Sequence, residues 1–228
     1  MLHRCFAPTA LAVVGSFAFS ASGAVTFSSR FSEVTRVSWD DRAGNTTEIL
    51  GTTTAFGSFV VPTGSPSIKY QNSTTGLVGA TYSGYTSAWG GTGPPAGSNH
   101  YGGYERSRFE LIFVVTGTAN YTLDGSLQRY FNATSVLRLA PTAPGGSPAR
   151  TISAAGSPGD GFAPTPVSWT GTLLAGTYKL SIDESGQQVR AGEFSQGSAS
   201  SFTFVIPSPS AAAVLFGALP LFRRRRSE

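Results

Sequence analysis

The sequence predicts an all-β protein, a two-sheet antiparallel sandwich of jelly-roll-like order with a short apolar helix at its C-terminus. Three observations carry this. Gly, Pro, Ser and Thr are abundant throughout the chain. Short runs of alternating apolar and polar residues recur along it, as half-buried strands require. Between the two terminal segments no stretch keeps the 3.6-residue period of an amphipathic helix.

Taken in order, the clearest strands lie in the second half. Arg108–Thr116 places Phe109, Leu111, Phe113 and Val115 on one side. Thr177–Asp183 does the same with Tyr178, Leu180 and Ile182, and Ser201–Ile206 with Phe202, Phe204 and Ile206. Further strands are expected at 25–31, 33–39, 54–61, 77–82, 119–127 and 168–174. Asp124-Gly125 and Ala175-Gly176 read as tight hairpin turns, and Glu184-Ser185-Gly186 as the end of a strand. Two stretches read as long loops: 83–107, rich in Gly, Tyr and Ser, and 140–166, rich in Pro, Ala and Gly. Loops of that length are uncommon unless they serve a function or lack order.

The ends have their own logic. Arg4, the apolar run Ala10–Phe19 and the small residues Ser22-Gly23-Ala24 form a secretory signal peptide over 1–24. The body is then 25–206. Setting aside Arg4, Arg223–Arg226 and Glu228 leaves basic and acidic residues in equal number. The pI near 9.5 therefore belongs to the ends. A neutral body carries no electrostatic footprint for nucleic acid. The one cysteine, Cys5, falls in the signal peptide, so the body must fold without disulfides.

After Ile206 come Pro207-Ser208-Pro209, twelve apolar residues Ala211–Phe222, and four arginines Arg223, Arg224, Arg225 and Arg226. A bilayer-spanning helix needs about 20 residues. Twelve make a transient anchor, held with its basic end on the cytoplasmic side. This three-part tail, 207–228, resembles the PEP-CTERM sorting signal. The resemblance implies an extracellular or surface-attached protein associated with exopolysaccharide, and an exosortase-like membrane enzyme as its processing partner. Serine at 208 departs from the glutamate usual in that family.

Chemistry is sparse in the body. His100 is its single histidine and reads as an exposed loop residue, with no Gly-x-Ser-x-Gly elbow to make a triad. Asp40, Asp41, Glu105, Glu110, Asp183 and Glu184 supply carboxylates from which a glycosidase pair would be drawn. Their placement at turns and on polar strand faces favours solvated side chains. A calcium site at Asp40–Asn45 lacks the expected ligand spacing, and no metal or cofactor is expected. Sequons at Asn45, Asn72, Asn120 and Asn132 carry no assigned role.

The remaining candidates are the rings Tyr82, Tyr85, Trp89, Tyr101 and Tyr104, interleaved with glycines in the 83–107 stretch. Aromatic faces on a sandwich rim stack on sugars, or fold back over a sheet edge. The expectation is thus a non-enzymatic structural or adhesive protein of the envelope or exopolysaccharide matrix. A carbohydrate-binding module using residues 82–104 is one alternative. A glycoside hydrolase with a carboxylate pair is the other.

Overall fold

The computed structural model describes residues 23–40, 44–63, 69–92, 100–130, 133–154, 163–186 and 197–207. All regular structure among them is strand, and every pairing is antiparallel. The strands are β1 (Val25–Asp40), β2 (Gly44–Thr53), β3 (Gly57–Pro62), β4 (Lys69–Thr75), β5 (Gly79–Thr92) and β6 (His100–Val115). They continue as β7 (Ala119–Tyr130), β8 (Thr134–Pro141), β9 (Arg150–Ser153), β10 (Thr165–Leu173), β11 (Gly176–Ser185) and β12 (Gly197–Val205).

One layer runs β2-β1-β6-β11-β8-β9 and the other β3-β4-β5-β12-β7-β10. Strand β5 belongs to both. Its first part pairs with β4 and β12, and its last residues, Ala88–Thr92, pair with β6. That crossing makes the sheet nearly closed and barrel-like. Within it, β5–β12 alone give the orders 5-12-7-10 and 6-11-8-9, which fit the expected jelly-roll-like arrangement. β4 with β3, and β1 with β2, extend the two layers.

The core lies between the layers. Phe109, Leu111, Phe113 and Val115 of β6 face inward, as their alternation predicts, with Tyr178, Leu180 and Ile182 of β11 beside them. From the opposite layer come Phe202 and Phe204, Leu123 and Leu127, and Tyr82. The rings form two clusters. Tyr82 stacks on Phe202 at 5.5 Å, Phe109 meets both, and Phe113 meets Phe204 at 5.5 Å and Tyr178 at 5.7 Å. Each such pair contributes about 0.5–1.5 kcal/mol beyond its buried area.

Several expectations are corrected. Within the 83–107 stretch, residues 83–92 are the end of β5 and 100–107 the start of β6, strands where a loop was expected, and 93–99 lie outside the described residues. Its glycines sit opposite one another, Gly90 against Gly102, where the layers join. Asp124-Gly125 is no turn. Gly125 lies inside β7 against Phe202 of β12, and a Cβ there would stand 2.1 Å from the Ser201 carbonyl oxygen. The glycine serves close backbone approach. Ala175-Gly176 does not close a hairpin either. It carries the chain from β10, paired with β7, to β11, paired with β6 and β8 in the other layer.

Residues 25–31 and 33–39 belong to one strand, β1, with a register shift near Ser28 that changes which side chains face inward. The 54–61 strand is the link from β2 into β3. The 140–166 stretch contains β9 and the ends of β8 and β10. Glu184-Ser185-Gly186 does end β11. The expected C-terminal helix lies outside the described residues, and among those residues no helix is long and apolar enough to cross a membrane.

Candidate functional site: a buried polar chain in the core

One end of the interior is rich in polar side chains. Inward positions of β4 are Gln71, Ser73 and Thr75, and those of β1 beyond its register shift begin with Arg30 and Ser32, all buried. Strands that are apolar inward at one end change character along their length. β6 passes from Phe109 to Ser107 and Glu105, β11 from Ile182 to Glu184, and β12 from Phe202 to Ser200 and Ser198. These groups meet.

Tyr82 links the two halves. Its ring packs with Phe109 and Phe202, and its hydroxyl donates to Oε2 of Glu184 at 2.6 Å and lies 2.9 Å from Ser107 Oγ. Ser107 donates to Gln71 Oε1 at 3.3 Å, and Gln71 Nε2 donates to Ser73 Oγ at 3.0 Å. Arg30 completes the chain. Its Nη2 donates to Ser73 Oγ at 2.7 Å and to the Ser73 carbonyl, Nη1 to the carbonyls of Ala55 and Gly57, and Nε to Ser32. The guanidinium also lies over the Phe109 ring, 5.7 Å from its centre. Hydrogen bonds thus run from Arg30 in one layer to Glu184 in the same layer by way of the opposite one.

On its far side Glu184 meets serines. The hydroxyls of Ser200, Ser198 and Ser135 favour its charged form, with Ser135 and Ser200 2.7 Å apart and Ser198 2.7 Å from Thr86. None reaches hydrogen-bond geometry with Oε1, which has no partner. Burial prevails. Glu184 is 0% exposed, and its loss of water raises the carboxyl to about 7 despite those hydroxyls. Burial, then the Glu184 charge, pushes the Tyr82 phenol well above its usual range, and burial lowers Arg30. Gly84 makes the space. A Cβ there would lie 2.0 Å from both Glu184 Oε2 and the Tyr82 hydroxyl.

Glu105, 2% exposed, sits beside this chain on β6. Its Oε1 accepts from Arg36 at 3.4 Å and Tyr70 at 3.2 Å, and its Oε2 from the amide and hydroxyl of Ser87. Ser107 pairs with Glu184 in the ladder, so Glu105 and Glu184 are diagonal neighbours on one inner face. The expectation that both are solvated is therefore overturned. Burial closes them from solvent, whereas glycoside hydrolysis needs carboxylates flanking a substrate.

Asp183 and Glu110 do face outward. On the outer face of the first layer Asp183 pairs with Arg106 and Arg108, and Glu110 with Arg108 and Lys179. Asp40 ends β1, and Asp41 lies outside the described residues.

The five candidate rings do not form one platform. Tyr82 is in the core. Tyr85 and Tyr104 are half-buried, Tyr85 opposite Ala199 and Tyr104 opposite Ala88 and Val37. Trp89 and Tyr101 pair through their backbones with Gly103 and Gly91, and their side chains lie outside the described set. His100 begins β6 instead of occupying a loop. Of the tail, Pro207 is exposed at the end of the described chain, and Ser208, Pro209 and Arg223–Arg226 lie beyond it.

Alternation could have found the missed residues. Ser107 and Glu105 continue the inward count back from Phe109, Ser200 and Ser198 continue it back from Phe202, and Glu184 follows Ile182 by two.

No family model matches the chain, and no curated protein does either. Among solved structures it is similar to the crystal structure of the infectious bursal disease virus VP2 subviral particle. Identity is 10%, covering 83% of this chain and 59% of that one, with a TM-score of 0.28. The D431N mutant VP2 protein of that virus, in derived T=1 particles, is 9% identical over 83% of this chain and 57% of that one, at a TM-score of 0.24. The chain thus spans less than two thirds of either. Likeness at this level does not extend to function.

Proposed function

We propose that this chain is a secreted or surface-attached structural or adhesive protein of the cell envelope or exopolysaccharide matrix. A PEP-CTERM-like tail sorts it, and an exosortase-like membrane enzyme processes that tail. The observation that supports a structural role is the use made of the reactive side chains. Tyr82 bonds Glu184, Arg30 bonds Ser32, Ser73 and two backbone carbonyls, and Glu105 bonds Arg36, Tyr70 and Ser87, so they stiffen the interior instead of lining an open groove. The jelly-roll-like order gives such a protein a rigid body whose two ends are set apart.

The second reading is a carbohydrate-binding surface on the β5–β6 ribbon, where Tyr85 and Tyr104 are half-buried on adjoining strands but fall on opposite faces of the ladder. Retention on polysaccharide columns, compared with a Tyr85→Ala, Tyr104→Ala variant, separates the two. Equal retention of both proteins, or none, leaves the structural reading. Mass spectrometry of the mature protein tests the sorting reading. The expected product begins near Val25 and lacks Arg223–Arg226, and retention of all four arginines contradicts it.

A further inference from the structure

Because every strand pairs antiparallel, alternate connections gather at one end of the sandwich. That end holds residues 54–56, 76–78, 116–118, 142–149 and 174–175, with 23–24 entering and 206–207 leaving. The pairings fix it: Val25 and Gly176 oppose Val115, Gly79 opposes Val205, and Leu173 opposes Ala119. None of these connecting residues is charged. By contrast, the sequence between β1 and β2 and between β11 and β12 carries Asp41, Arg42, Arg190 and Glu193.

The connections at this end display apolar side chains, and Arg150 at the start of β9 is exposed beside Leu174. Leu77 is 95% exposed, and Phe56, Val78 and Leu174 are each about half exposed. Phe56 and Leu77 border an open groove with Val25 and Phe27. Backbone bonds hold the tips in place. Gly76 donates to the Gly79 carbonyl at 2.9 Å and Ile206 to the Val78 carbonyl at 2.8 Å. Leu174 is held by its amide on Ser147 Oγ at 3.0 Å and by its carbonyl on the Tyr178 hydroxyl at 2.9 Å. Fixed apolar side chains at the tips of uncharged loops suit an apolar partner.

We propose that this end is a lipid-facing surface, on which Leu77, Phe56, Val78 and Leu174 seat at the headgroup–acyl boundary of a bilayer. The inference rests on the reading of the tail as a transient anchor and concerns the chain before that tail is processed. The chain leaves the sandwich at Ile206, bonded to Val78, and the apolar run begins at Ala211. The four steps from Pro207 to Ala211 reach at most about 14 Å. A headgroup layer is about 5–8 Å thick. With Ala211–Phe222 in the hydrocarbon, so short a tether brings this end against the interface, and four apolar side chains then find burial there.

The test uses the full chain in phosphatidylcholine vesicles with and without brominated acyl chains. Cys5→Ser removes the native thiol, and an environment-sensitive probe is placed in turn on Leu77→Cys, Asn45→Cys and Ala213→Cys. Leu77 is exposed, so labelling leaves the fold intact, and Asn45 lies at the opposite end. The expected result is quenching of the position 77 probe by about twofold or more, the loss expected of a group at the acyl boundary, with position 45 unchanged. If position 213 is quenched and position 77 is not, the inference fails and the anchored tail stands. If neither is quenched, both fail. Quenching at 77 without quenching at 213 keeps the lipid-facing surface and removes the anchor. Disulfide coupling of two Leu77→Cys chains, with no quenching by lipid, assigns the surface to a second copy and overturns the proposal.

Discussion

Two halves of one interior obey different rules. Toward Val115, Tyr178 and Phe204 the layers meet chiefly through rings and aliphatic side chains, with the Tyr178 hydroxyl and Ser147 bonded to the loops there and Thr75 Oγ1 buried without a hydrogen-bond partner. Toward Ser198, Glu105 and Gln71 the same strands meet through hydroxyls, an amide, two carboxylates and a guanidinium. Tyr82 stands at the boundary and belongs to both. Apolar packing is tolerant of exchange and strong in aggregate. A buried polar chain contributes little net stability when complete and costs heavily when one member is lost. The first half explains why the body coheres, and the second why its strands hold one register.

The sharpest break of that comparison is in the apolar half. Phe113→Ala removes a ring that touches Phe27, Tyr178 and Phe204. It should lower unfolding free energy by about 3–5 kcal/mol, measured by denaturant titration, with no new dependence on pH.

In the polar half the leading effect is pH. Glu184 has a folded pKa of about 7, above its ordinary 4.5. A raised pKa means that the folded state holds the proton more tightly. The stabilisation is full below about pH 4.5 and is lost as pH rises through 7, a change on the order of 3 kcal/mol. Thermal unfolding should show it as a melting temperature that falls between those values. Glu184→Gln, neutral throughout, should flatten the slope and match or exceed the native protein at pH 8.

Smaller again is Tyr82→Phe. The ring stays in the stack, but Glu184 Oε2 loses the donor at 2.6 Å. A cost of about 1–3 kcal/mol is expected, read from the same titration. A cost of nothing would mean that another group takes the hydroxyl's place.

The same contrast decides how much was legible in the sequence. Phe109–Val115, Tyr178–Ile182 and Phe202–Ile206 were read correctly because inward positions there are apolar, so strand parity and burial coincide. Where inward positions turn polar, parity persists while hydrophobic alternation vanishes. That is why 83–107 read as a loop although Gly84, Thr86 and Ala88 keep strict inward parity on β5. Glu184 was read as solvated because its neighbours in sequence, Asp183 and Ser185, are polar too. Asp124-Gly125 misled for a different reason. The glycine answers to the Ser201 carbonyl across the ladder, a contact no local pattern reveals.

The smallest effect belongs to the outer face. Lys179 reaches Glu110 at 3.5 Å, and both are partly in water. Lys179→Ala should change stability by no more than about 1 kcal/mol, and less at high salt, as denaturant titration at two ionic strengths would show.

The central claim is that the core holds a carboxyl closed from water between Tyr82 and a cluster of serines. Carbon-13 NMR of glutamate-labelled protein follows each carboxyl across pH directly. One carboxyl signal should titrate near pH 7 in the native protein and be absent from Glu184→Gln. Titration of every glutamate within the ordinary range near 4.5 would contradict the account, since it would place Glu184 in water or directly beside a positive charge, whereas Arg30 lies at the far end of the chain with Ser73, Gln71, Ser107 and Tyr82 between.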